Sequence, residues 1–280
     1  MNSIKLFAHD ARCGLMRIRY AVIPIIFLIP CISFYSIVKI MDCSFSWADC
    51  MMYCFQGIKP VYSGEGPIEF HLPINWLLIM AGCLFLNLDY MLNDMTNYGQ
   101  QVIIRSNNRI GWFLAKCIWN LCSTVMYFCI GCLSAALFTV VTGGSLKMES
   151  TPQISLYIFS SLLEDVSIET FFMSKPQVFM YCFLLPALCL ATLNLLQMTL
   201  CLYIKPILSF IFGMCILIIS LFWNSPLALG NGAMLLRSDL LFSDGIKPES
   251  VIVVSLCILF FCSLAGSCKF KRKDILNVEE

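Results

Sequence analysis

Charge is scarce in this chain: Asp, Glu, Lys and Arg make up 12% of its 280 residues, against roughly 25% in a soluble domain, and histidine occurs twice. His9 and His71 fall on opposite sides of the membrane expected below, and no Cys/His set has the spacing of a zinc site, so no metal is assigned. GxxxxGK[ST] is missing, which excludes nucleotide binding through a P-loop of this chain. HExxH and GxSxG are missing too, and no expected span carries a histidine, a paired glutamate or a nucleophile with its base. Glu164 and Asp165 lie in an expected outer loop. Asp89 is the one acid well inside an apolar run, near its cytoplasmic end, where reaching the interface or pairing with a basic neighbour such as Lys116 explains it more simply than a proton relay. The reading is therefore of a protein that is not an enzyme, with no catalytic residue and no cofactor.

What is present is apolar. Hydrophobic residues make up 59% of the chain and the mean hydropathy is +0.83, the composition of a membrane protein. Six apolar runs approach or exceed the roughly 20 helical residues that cross a hydrocarbon core: Tyr20 to Ile40, Pro73 to Asn93, Phe113 to Thr142, Gln177 to Tyr203, Pro206 to Trp223 and Ser250 to Cys268. The fourth and fifth are separated only by "YIKP", where Pro206 suits the first turn of a new helix and a tight hairpin. The first run has no small-residue cleavage site after it and is expected to stay in the mature protein. The expected fold class is all-α: one polytopic membrane domain over 1–280, with six transmembrane helices.

Basic residues orient it. Lys5, Arg12, Arg17, Arg19, Arg105, Arg109, Lys116, Lys205, Lys269, Lys271, Arg272 and Lys273 share one side, against Lys39, Lys59, Lys147, Lys175, Arg237 and Lys247 on the other. The positive-inside bias then places both termini in the cytoplasm, and the expected location is the cell membrane, multi-pass. No nucleic-acid partner is expected.

Between the spans, residues 1–19 carry apolar positions at helical spacing among Lys5, His9, Arg12 and Arg17, the pattern of an interfacial helix on the bilayer surface, with a disordered basic leader as the alternative. The first outer loop, 41–72, is turn-rich and expected to be irregular. The second, 143–176, holds "ISLYIFSSLLEDVSIETFFM", read as an amphipathic outer helix. The third segment, 224–249, has Gly230, Gly232 and a short apolar stretch; it is read as a re-entrant helical hairpin, with a surface loop as the alternative. Most of the 17 cysteines lie in the spans as small apolar residues, while Cys43, Cys50 and Cys54 share an outer loop where one disulfide fits an oxidising habitat. Asn87, Asn194 and Gln197 are read as hydrogen-bond partners between helices.

One stretch resists a purely structural account. "NYGQQVIIRSNNRIGWFLAK", 97–116, combines a capping-type polar start, an uncharged apolar half and a turn at "SNN" before Trp112, which is expected in the aromatic belt. A solvated loop explains Arg105 and Arg109 but not "YGQQVII", which has the character of a docking helix. The stretch resembles the cytoplasmic loop of type-2 bacterial ABC transporter permeases, and "SPLALGNGAMLLRS", 225–238, resembles the segment before their last span. The resemblance implies a coupling loop over 94–112, with Tyr98, Gly99, Gln100, Gln101, Arg105 and Arg109 as ATPase-coupling residues. It implies as partners an ATP-binding cassette ATPase subunit and a second copy or a related permease, all within a lipid bilayer. The function so implied is the membrane subunit of an ATP-driven exporter; the alternative is a non-transporting sensor or immunity protein that binds a peptide through its outer loops.

Overall fold

Apolar side chains at 23, 26, 27, 30, 31, 34 and 38 recur at three- and four-residue intervals, and they form the buried face of helix α1, Ile23–Met41. Pro24 sits in its first turn, where the missing N–H costs nothing, and the helix stops at Asp42, whose φ of 49° is left-handed. A short 3-10 turn, Ile18–Val22, precedes it. The computed structural model describes residues 18–60, 71–88, 109–160, 172–241 and 244–272. The expected interfacial helix over 1–19 falls outside these residues except for its last two positions.

Helix α2, Trp47–Cys54, corrects the irregular reading of the first outer loop. Ser46 and Asp49 build a reciprocal capping box: Asp49 N–H donates to Ser46 Oγ at 3.2 Å, and Ser46 N–H donates to Asp49 Oδ2 at 2.9 Å. Further along come α3, Ile74–Leu86; α4, Arg109–Val141; α5, Pro152–Ser160; α6, Lys175–Leu200; α7, Pro206–Phe222; and α8, Pro248–Arg272. Among the described residues there is no strand, only two isolated bridges, Ser46–Ser145 and Ser238–Ile246. Helix α5 begins the amphipathic helix expected in the second outer loop, whose remainder, 161–171, lies outside the described residues.

Among the described residues, four segments are long and apolar enough to cross a membrane: Tyr20–Met41, Arg109–Val141, Lys175–Leu200 and Pro248–Lys271. The two shorter apolar helices, α3 and α7, stand where the second and fifth spans are expected. At about 1.5 Å per residue α3 rises only about 20 Å, short of a hydrocarbon core of about 30 Å. Helix α4 has 33 residues and rises about 50 Å, so it outruns the bilayer.

Helices α4 and α6 are central. Helix α4 packs against α1, α2, α6 and α8, and α6 also meets α3, α7 and α8. The apolar window of α6 is 67% buried, whereas that of α8 is 22% buried, so α8 turns most of its surface outward. Gly131 on α4 permits the closest approach to α1, since a Cβ there would lie 2.2 Å from the Phe27 ring. Within α6 the turn Phe179–Leu184 widens to π geometry, with Leu185 N–H donating to Met180 O. Pro186 gives the reason: it has no N–H for the carbonyl four residues back, and the ladder slips by one.

Candidate functional site

At the end of the molecule read as cytoplasmic, α4 begins with Arg109, whose Nη1 donates to the Lys271 carbonyl of α8 at 3.4 Å. One turn on, Trp112 stacks on Phe270 at 4.9 Å and 14°, and Phe113 lies on the same ring at 5.9 Å. Trp112 is thus buried inside the bundle, a correction to its expected place in the aromatic belt. Its indole face carries Lys116, with Nζ 5.1 Å from the centroid and the side chain buried. Across the α6–α7 hairpin, Lys269 lies over Tyr203 at 5.0 Å, and Tyr203 donates to Ala265 O at 3.4 Å. Of the six expected coupling residues, Arg109 is placed on this seat. Tyr98, Gly99, Gln100, Gln101 and Arg105 lie outside the described residues, as does Asp89.

Deeper in the bundle a polar seam joins the helices. Ser123 on α4 donates to Asn87 Oδ1 at 2.9 Å and stands 2.7 Å from the Tyr20 hydroxyl. Asn194 Nδ2 donates to Thr124 at 2.7 Å, Gln197 Nε2 donates to Leu84 O at 3.0 Å, and Ser209 Oγ donates to Gln197 O at 2.7 Å. Asn87, Asn194 and Gln197 therefore do link helices, as their positions suggest. Asn120, one turn from Lys116 and buried, finds no hydrogen-bond partner among the described residues for either amide atom. An unsatisfied buried amide costs about 1–3 kcal/mol, so Asn120 weakens the seam where its neighbours strengthen it.

At the opposite end, residues 224–241 take neither the helical-hairpin nor the surface-loop form. They include two single 3-10 turns, Asn231–Ala233 and Leu235–Arg237, buried against α6 and the residues that follow α2. Leu235 N–H and Leu236 N–H donate to Phe55 O and Gln56 O. Arg237, assigned above to the outer basic residues, is fully buried. Its guanidinium donates to Leu221 O at 2.6 Å, Ser220 O at 2.5 Å, Asn231 Oδ1 at 2.7 Å and Ile58 O at 3.2 Å, so it caps the end of α7. Nearby, Tyr181 donates a short hydrogen bond to Asp239.

A cleft of about 890 Å³ opens beside this cap, with Ser33, Tyr53, Gln56, Lys59, His71 and Asn75 set among Ile29, Trp76 and Leu236. Its size and mixed lining suit a small amphipathic molecule. Asp49, in the capping box of α2, accepts from Thr151 N–H at 2.8 Å as well as from Ser46. Burial nevertheless pushes its carboxyl above the usual range. Cys43, Cys50 and Cys54 are free thiols, and the last two turn inward to Cys31 of α1.

Sequence reasoning missed α2, the Arg237 cap and this meeting of thiols. The first had a signal, Ser46-x-x-Asp49. The other two join residues far apart in the chain and had none.

Large apolar side chains stand exposed along the outward faces of the long helices, among them Ile25, Ile32, Leu133, Leu137, Phe260 and Phe261, while polar groups turn inward. That inverted arrangement, on helices of spanning length, defines an all-α polytopic membrane protein. The chain belongs to the DUF2705 family, described as a protein of unknown function, whose profile matches residues 21–276. No curated protein and no solved structure matches it.

Proposed function

We propose that the chain is the membrane-spanning permease subunit of an ATP-driven ABC exporter, with a separate ATPase docking on the loop 94–112. One observation carries the reading furthest. The loop that resembles a coupling segment runs directly into α4, whose first two turns are clamped to α8 by Arg109, Trp112 and Phe113. Helix α4 runs 33 residues in all, packed against α1, α2, α6 and α8. A push on the loop would move a long rod seated in the centre of the bundle, and mechanical coupling of this kind needs no charge at mid-membrane. Both termini are cytoplasmic in this reading, and the subunit works as a pair, either with a second copy or with a related permease.

The outer cleft supports a second reading, a sensor or immunity protein that holds a small amphipathic ligand or peptide without transport. Co-purification separates the two. The tagged chain, expressed with an ATPase encoded beside it and extracted in mild detergent, is expected to bring the ATPase down in stoichiometric amount. Arg105→Glu and Gln100→Pro are expected to weaken that association and lower ATP hydrolysis, while Lys175→Gln, at the far end of α6, leaves both intact. A folded chain that brings down no ATPase, or coupling-loop variants that hydrolyse ATP like the parent, would overturn the transporter reading.

A further inference from the structure

Three thiols from two elements converge in the outer half of the molecule. Cys31 lies on the buried face of α1, and Cys50 and Cys54 stand one turn apart on one face of α2. All three are fully buried, the Cys50 and Cys31 sulfurs are 3.2 Å apart, and the three Sγ atoms lie within 4.8 Å of one another. Cysteine is a common core residue, and Cys83, Cys182 and Cys189 are buried in this bundle as single thiols. Among the described residues, no other three His, Cys, Asp or Glu ligand atoms meet in this way.

From this convergence we infer that Cys31, Cys50 and Cys54 form a three-thiolate site for a soft monovalent cation of the copper(I) class. Metal–sulfur bonds of about 2.3 Å in a trigonal plane set sulfurs about 4 Å apart, between the shortest separation seen here and the widest. Thiolate ligands select soft ions. Zinc favours a tetrahedron, and no fourth His, Cys, Asp or Glu donor joins the three among the described residues, whereas three-coordinate copper(I) needs none. Binding displaces thiol protons to solvent and ties α2 to α1. That tie also fixes the segment whose Phe55 and Gln56 carbonyls hold the 3-10 turns before α8. The site stands independently of the transport reading, since it involves neither the loop 94–112 nor a partner subunit.

The test uses the full chain in detergent, reduced and free of oxygen, titrated with copper(I) against a chromogenic copper(I) chelator. One copper per chain is expected to resist the chelator in the parent and in Cys83→Ser, with sulfur-only, three-coordinate X-ray absorption. Cys31→Ser, Cys50→Ser and Cys54→Ser are each expected to lose it. A copper-dependent rise in the Tm of the parent chain, measured without any substitution, covers the case in which those variants fold poorly. The inference is overturned if the chelator strips the parent completely and Tm does not move, or if the three variants keep their copper. It is also overturned if zinc is retained in preference, or if the chain isolated from its membrane carries a Cys31–Cys50 disulfide.

Discussion

Arg237 is a cation placed where water does not reach, and its acceptors are carbonyl oxygens at the end of a helix together with the Asn231 amide oxygen. The guanidinium fork satisfies several acceptors in fixed directions at once, which an ammonium cannot do. Arg237→Met is expected to destabilise the chain by about 1–3 kcal/mol for each buried acceptor that it leaves without a donor. Arg237→Lys should recover only part of the loss, and thermal unfolding in detergent followed by circular dichroism measures both. At Asp49 the two carboxylate oxygens divide their work, one toward Ser46 and the other toward Thr151. Asp49→Asn keeps the shape but gives up an acceptor, and a loss of about 1–3 kcal/mol is expected in the same assay. An unchanged Tm would show that Ser46 finds another partner.

Among the elements, α4 shares the centre of the packing with α6, and two of its contacts set its position. At one end Trp112 lies between Phe270 and Lys116, so Trp112→Ala removes both a stacked ring and a cation's seat, at an expected cost of about 3–5 kcal/mol. Near the middle, Gly131 lets the Phe27 ring of α1 rest on the α4 backbone. Gly131→Leu is expected to force α1 and α4 apart and lower Tm, while the exposed neighbour change Leu133→Ile leaves it almost unmoved. Helix positions were largely legible: Pro206 opens α7 as its residue type suggests, and the apolar runs mark α1, α4, α6 and α8. The outer elements were not, because Trp47–Cys54 is too short to show a period and its stability comes from its cap and from burial against α1 and α4.

For the whole molecule, orientation is the property that composition argues most directly. Green fluorescent protein fused after residue 280 is expected to fluoresce, and alkaline phosphatase inserted after residue 143 is expected to be active, if both termini are cytoplasmic. The reverse pattern would place the loop 94–112 on the outer side and remove the basis for ATPase docking. The sequence by itself determined the solvent. With 59% hydrophobic residues and runs of about 20, each helix can satisfy its own backbone in lipid, and no soluble alternative buries that much apolar surface. Local composition also located the helices, because period and length act within a single segment. Only the tertiary structure decided which side chains meet: Arg237 with the end of α7, Ser123 with Asn87, Trp112 with Phe270, and Cys31 with Cys50 and Cys54. Those meetings depend on how helices pack across long gaps in the chain, and packing is set by shape at the contact, which no single segment carries.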